Sequence, residues 1–256
     1  MTKPLYLVTG HWSFSKGPMT DAELRSVLAD RLANVRGRIA AACARVGRDP
    51  AAVTLVAVTK TVSPRVAGLL PDLGVLDLGE NRPQELWRKA AELNHLPIRW
   101  HLIGHLQRNK VERTLPLVHL IHSVDSVRLF QAIAAEGQKR DLNPGLLLEI
   151  NASREEQKHG FSFEEARAAE REFENRPGLV CGLMCMAAYS DDPEHARPAF
   201  RELRRFRDRL WLDWLLIGPQ LEHLSMGMSG DFEVAIEEGA TLVRIGTTIF
   251  EGLERE

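Results

Sequence analysis

Eight short apolar stretches, most followed by a segment of helical periodicity, constrain this chain more than any other feature. They fall at residues 53–58, 75–78, 99–103, 120–122, 146–150, 180–184, 221–225 and 242–245. The run LVAV at 55–58 is continuously apolar, the pattern of a strand covered on both faces. Helical patterns lie between most of the stretches, at 82–93, 107–115, 127–139, 163–173 and 193–210. Such alternation in a chain of 256 residues predicts a parallel (β/α)8 barrel, with an open doubly wound sheet as the other arrangement. The polar residues favour the barrel. Lys60, Asn81, His105, Ser123, Asn151 and Ser225 end or follow strands, and Arg244 lies in the last one. A barrel brings those positions to one mouth, whereas an open sheet strings them along an edge.

Before the first strand, Leu24, Val27, Leu28, Leu32, Val35, Ile39 and Ala42 recur at spacings of three and four. They predict an amphipathic helix over 21–46, with Thr20 as its cap. Residues 20–256 read as one domain, since no linker or composition break divides them. Residues 1–19 read as an extension, either flexible or created by a start placed upstream, because Met19-Thr20 repeats Met1-Thr2. The opening lacks the basic start and sustained apolar core of a signal peptide. No apolar run approaches the roughly 20 residues of a membrane helix. A formal net charge of -2 gives no general attraction to nucleic acid or anionic lipid. Three cysteines, Cys43, Cys181 and Cys185, without a disulfide framework fit a reducing cytoplasm. The basic run RELRRFRDR, 201–209, reads as a solvated helix face.

Two segments point to an anion. LSMGMSGDFEVAIEEGA, 224–240, sets Ser225, Gly227, Ser229 and Gly230 ahead of a helical pattern, and Gly246 and Thr247 follow the last strand. Glycines let backbone amides approach an anion and hydroxyls donate to it. In barrels the loops after strands seven and eight often hold phosphate. Lys60 closes strand one, where a lysine ordinarily just reaches water. Beside a phosphate site it suggests instead a phosphorylated aldehyde joined to the amine, with a lowered lysine pKa favouring the neutral nucleophile. Pyridoxal 5′-phosphate fits both features.

The motifs AVTKT, LGENRPQE, WHLIGHLQRNK, HSVDS, GLMCMA, LSMGMSGDFEVAI and VRIGTTIFEG, in this order and spacing, resemble the pyridoxal phosphate homeostasis proteins. These are single-domain relatives of the alanine racemase barrel, and the resemblance runs from about Leu24 to Gly252. It implies that Lys60 is the Schiff-base lysine, that Asn81 stands beside the cofactor ring, and that Arg244 faces the pyridine nitrogen. It also places Ser225, Ser229, Gly246 and Thr247 in the phosphate-binding motifs. Glu251 interrupts the usual Phe-Gly ending of the last motif.

Other residues admit plainer roles. Asn81 is equally suited to capping a helix that starts near Arg82. His101 and His105 have metal-like spacing, but without a neighbouring carboxylate in sequence no metal is assigned. His105 is a candidate pocket residue, while His101, Met184 and Met186 read as packing. No catalytic residue is assigned. An arginine at the ring nitrogen cannot supply a proton, which disfavours transamination and decarboxylation. Racemases of the related barrel use a tyrosine from a second domain; this chain has only Tyr6 and Tyr189. The reading is therefore a monomeric carrier that stores the aldehyde, passes it to apo-enzymes and balances vitamin B6 and amino-acid pools. The alternative is a small amino-acid racemase using Lys60 as proton carrier, with Tyr189 near the mouth. A lysine-imine aldolase accounts for Lys60 but not for the cofactor motifs.

Overall fold

The computed structural model describes residues 19–153, 155, 159–174, 179–214 and 218–253. Eight parallel strands close into a barrel in sequence order: β1 Thr54–Val58, β2 Asp77–Glu80, β3 Arg99–Leu102, β4 Leu120–Val124, β5 Gly145–Glu149, β6 Val180–Met184, β7 His223–Ser225 and β8 Leu242–Ile245. The seam is β1 against β8, in a register that pairs Val56 with Arg244 and Ala57 with Ile245. The expected barrel is therefore the fold, and all eight expected strands are present. Val56, Leu120, Leu147, Met184 and Leu242 form an apolar cluster separate from the larger core. Because side chains alternate along a strand, these set the inward register for β1, β4, β5, β6 and β8.

The helix Asp21–Arg45 begins at Thr20, as the sequence predicts. The Thr20 hydroxyl accepts from the Glu23 amide and the Glu23 carboxylate accepts from the Thr20 amide. It buries Leu24, Leu28, Leu32, Val35 and Ile39, and Arg31 Nη1 reaches the Ile249 carbonyl at 2.8 Å, tying the start of the barrel to its end. Of the expected extension, 1–19, residues 1–18 lie outside the described residues. Three helical stretches differ from expectation. Residues 107–115 are not one helix but a 3-10 turn Arg108–Lys110, a helical turn Val111–Thr114 and a further turn Leu115–Leu117. Thr114 there donates back to the Lys110 carbonyl and Pro116 has no amide to give. Residues 163–173 divide at Ala169 into Phe163–Ala168 and Glu170–Glu174. The long charged helix runs Arg197–Asp213 after a 3-10 turn, because Pro198 fits only a first turn. Its basic side is not merely solvated, since Arg197 and Arg201 pair with Glu238 at 3.1 and 2.8 Å.

Two buried ionisable side chains, Lys89 and Glu149, lie at the end of the barrel that carries Lys60. Lys89, on the helix Pro83–Glu92, is fully buried. Its ammonium donates to the carbonyls of Thr59 and Val62, both at 2.7 Å, and to Glu80 Oε1 at 2.8 Å. Glu80 Oε1 also accepts from the Thr59 hydroxyl at 2.6 Å. Residues 59–62, which carry Lys60, are thus clamped from behind. Glu149 ends β5 two residues after inward-facing Leu147, so it faces the barrel interior. Burial, reinforced by the Asp125 charge, pushes its carboxyl up to about 7.

Lys89→Met leaves the Glu80 carboxylate buried without its cation and costs about 3–5 kcal/mol of stability in urea unfolding. The double variant Lys89→Met/Glu80→Leu recovers part of that loss. For Glu149, the folded state keeps a proton that the unfolded chain has released between the ordinary carboxyl range and about 7. Stability therefore falls as pH rises through that window. Glu149→Gln removes the penalty and exceeds the parent by roughly 3 kcal/mol near about pH 8, with the gap closing by about pH 4. A constant gap across pH would contradict the assignment.

Candidate functional site

A cavity of about 330 Å³ opens at the C-terminal end of the barrel. Its position follows from the topology, since every strand points its last residue to this end. Lys60 and Thr61 enter from the turn after β1, Asn81 from just after β2 and Tyr189 from the segment after β6. Ser229 and Gly230 come from the loop after β7, Gly246 and Thr247 from the end of β8, and Arg244 from within β8. Val58, Ile103, Met186 and Ala187 supply apolar surface. Lys60 is exposed on this mouth although Val58 and Thr59 before it are buried.

On the anion side, Ser229 Oγ accepts from the Thr248 amide at 3.4 Å, which joins the β7 loop to the β8 loop. The amides of Gly230, Gly246 and Thr247 have no acceptor among the described residues. Gly227 holds φ at +92°, and a side chain there would meet Ala235 and Phe232 at under 3 Å. That glycine lets the β7 loop fold tightly over the helix Phe232–Glu237.

Arg244 is buried at the base of the cavity. Its Nη1 donates to Ser225 Oγ at 2.5 Å and its Nη2 to the Cys185 carbonyl at 3.1 Å. The remaining guanidinium N–H groups have no acceptor among the described residues. Burial lowers its pKa, yet an arginine remains a cation and a donor at neutral pH.

Six of the eight expected site residues meet in this cavity: Lys60, Asn81, Ser229, Arg244, Gly246 and Thr247. Ser225 is not on its wall but fully buried beneath it, between Arg244 and His122 Nδ1. His105 lies elsewhere on the rim, with Nδ1 2.9 Å from Asp125 Oδ2 and its ring stacked on His159. A ligand-capable atom from each of these three lies within 4.8 Å of the others. The sequence reading found no carboxylate near either metal-spaced histidine, yet both have one. Asp125 faces His105 and Asp77 faces His101, from strands more than a motif away. Asn81 does not cap the helix after it, where Arg82 holds the cap position without a side-chain bond. Instead Gly104 packs on Asn81 so closely that a Cβ would stand 2.4 Å from its Oδ1. Met184 packs inside the barrel, as expected, but Met186 reaches the cavity wall. Asn151 and Ser123 serve local structure, bonding the Glu155 and Gly104 carbonyls. Sequence reasoning missed Ile103 and Met228 on the wall, for which apolar residues beside a polar motif carried no signal.

The alanine racemase N-terminal domain family matches residues 31–253. The pyridoxal phosphate homeostasis protein of Aquifex aeolicus is 42% identical over 222 residues, covering 86% of this chain and 96% of that protein. A solved structure of an unknown protein from Bifidobacterium adolescentis superposes with a TM-score of 0.84 at 36% identity, covering 91% of this chain and 98% of that one. PipY of Synechococcus elongatus, solved with PLP bound, superposes with a TM-score of 0.75 at 32% identity, covering 87% and 99%. Among the described residues no helix is long and apolar enough to cross a membrane. Fold, motifs and relatives agree: the chain belongs to the pyridoxal phosphate homeostasis proteins, within the alanine racemase N-terminal domain family.

Proposed function

We propose that this protein binds pyridoxal 5′-phosphate in the mouth of its barrel, joined covalently to Lys60, and acts as a cytoplasmic carrier and reservoir rather than a strong catalyst. The observation that carries the reading is one cavity holding three matched donors. Lys60 offers an amine to an aldehyde, Arg244 offers N–H groups to a ring nitrogen, and Ser229, Gly230, Gly246 and Thr247 offer hydroxyls and amides to a phosphate. The cavity lies at the small end of the range for ligand sites, in keeping with a compact cofactor. Relatives named for pyridoxal phosphate homeostasis, and PipY with PLP bound, support the same ligand.

When bound, the cofactor supplies an electron sink whose strength depends on a protonated ring nitrogen. Arg244 would donate a hydrogen bond there without giving up a proton, and so would leave that sink weak. Lys60 rises from main chain that Lys89 clamps at residues 59–62, so its backbone is held while its exposed side chain reaches over the mouth. The second reading, a small amino-acid racemase, draws support from Tyr189, a residue at the cavity wall. Tyr189 is 94% exposed, however, with its hydroxyl 3.3 Å from Asp191, and it closes over nothing. The chain acts as a monomer in this reading, handing the cofactor to apo-enzymes.

Borohydride reduction followed by digestion leaves pyridoxyl on the peptide containing Lys60, and label on Lys110 instead would falsify the assignment. Lys60→Ala loses the visible absorbance of lysine-bound cofactor with an unchanged unfolding midpoint, because an exposed side chain at the mouth adds little packing. Ser229→Ala and Thr247→Ala each weaken retention by about 1.5–3 kcal/mol, the worth of a hydrogen bond to a charged group. Unphosphorylated pyridoxal held as tightly as the phosphate would make these loops ordinary turns. Incubation with alanine in heavy water separates the two functions. The carrier exchanges the α-proton far below ordinary turnover, about 1–1000 per second, and a rate within that range establishes the racemase.

A further inference from the structure

Arg244 is the last member of a chain of polar side chains running through the barrel interior. At the opposite end, Arg99 Nε lies 2.8 Å and Nη2 2.5 Å from the two oxygens of Asp77. Asp77 Oδ1 lies 2.9 Å from His101 Nε2. His101 Nδ1 lies 2.9 Å from His122 Nε2, and His122 Nδ1 lies 2.8 Å from Ser225 Oγ, which accepts from Arg244. Asp77 and Arg99 open β2 and β3, at the end of the barrel away from the cavity, and Ser225 closes β7 at the mouth. His101, His122 and Ser225 are buried, and no bond in the chain passes through the backbone.

Counting protons fixes its direction. Both ends are guanidiniums, which only donate. Three links lie between Asp77 and Ser225, and two neutral imidazoles plus one hydroxyl supply three protons. Asp77 accepts only, so His101 carries its proton on Nε2. Its bare Nδ1 then accepts from His122 Nε2–H, and the bare His122 Nδ1 accepts from the Ser225 hydroxyl. That leaves a Ser225 lone pair facing Arg244. Reversing the chain points an imidazole N–H at Ser225 and leaves the serine proton between two donors. Burial lowers both imidazoles, which favours their neutral forms. Burial would raise Asp77, but the hydrogen bonds from Arg99 and His101 outweigh it and hold the carboxyl ionised.

We propose that His122, His101 and Asp77 are positioning residues for Arg244, a single directed hydrogen-bond chain that anchors the guanidinium from the far end of the barrel so that its free N–H groups face the cavity. The consequence for cofactor rests on the reading of that cavity as a pyridoxal 5′-phosphate site, while the direction of the chain does not. Ser225 thereby becomes the link that orients Arg244 and not a phosphate ligand.

Nitrogen-15 spectra of the histidine rings in the full, cofactor-free chain test the direction. His101 and His122 should both appear as the Nε2–H tautomer. Asp77→Ala leaves only donors at the far end, so His122 shifts to Nδ1–H and retention of pyridoxal 5′-phosphate falls on the order of ten-fold, as for loss of an outer-shell partner. Asp77→Asn keeps an acceptor for His101 and restores both the tautomers and the retention, which separates positioning from a general loss of structure. An His122 tautomer unchanged in Asp77→Ala, or unchanged retention in that variant, overturns the proposal. A parent protein that binds no cofactor overturns the reading of the cavity instead, and the histidine spectra then still decide whether the chain is directed.

Discussion

Lys89 uses each proton of its ammonium on a different oxygen, and two of those oxygens belong to the backbone on either side of Lys60. A buried ammonium is costly unless every donor is paired, so the geometry of residues 59–62 cannot relax without leaving a charge exposed to apolar surroundings. The strand end, the helix Pro83–Glu92 and the Glu80 carboxylate are thereby held in one arrangement. Only Glu80 Oε2 is left without a partner there. A flexible lysine at a loop would sample many positions over the mouth. Here the main chain that carries it is fixed, and only the side chain of Lys60 stays free to move.

The same logic recurs on the other side of the cavity. Barrels of this kind ordinarily fill their interior with branched apolar layers. This one gives part of that volume to Asp77, His101, His122 and Ser225, each buried and each hydrogen-bonded. A fully satisfied polar network specifies one geometry, whereas a partly satisfied one destabilises the fold. Arg244 at its end is fixed by Ser225 and the Cys185 carbonyl from below. The amine and the guanidinium therefore approach the cavity from two separately braced supports.

The apolar spacing makes the barrel legible, and with it the convergence of Lys60, Asn81, Ser229, Arg244, Gly246 and Thr247 on one mouth. The limits were physical. The sequence reading ended the second strand at Leu78, but β2 runs Asp77–Glu80, because its charged residues are paired inside the fold and look like loop in sequence. Lys89 reads as one more exposed helix residue until its carbonyl acceptors, 27 and 30 residues earlier, are seen. Ser225 sits in a phosphate-like motif, yet alternation turns it into the barrel, where its neighbours are His122 and Arg244. His105 follows a strand like the others, but its loop faces Asp125 and His159 rather than the cavity. Contacts made across the barrel leave no local pattern.

Holding a reactive aldehyde and turning it over place opposite demands on a site. Turnover benefits from excluded water and an acidic partner that shares a proton with the ring. In the proposed reading the ring partner is a buried arginine that can only donate, and its support ends in another arginine. The opposite wall is open: Lys60, Met186 and Tyr189 are exposed, and no described segment covers them. An open mouth would let water and amines reach the proposed bond to Lys60, which suits loading and release. The weak sink limits what happens to an amino acid that arrives there. In the proposed reading, a weak sink below and free access above suit a carrier, and a catalyst on this barrel would need both reversed.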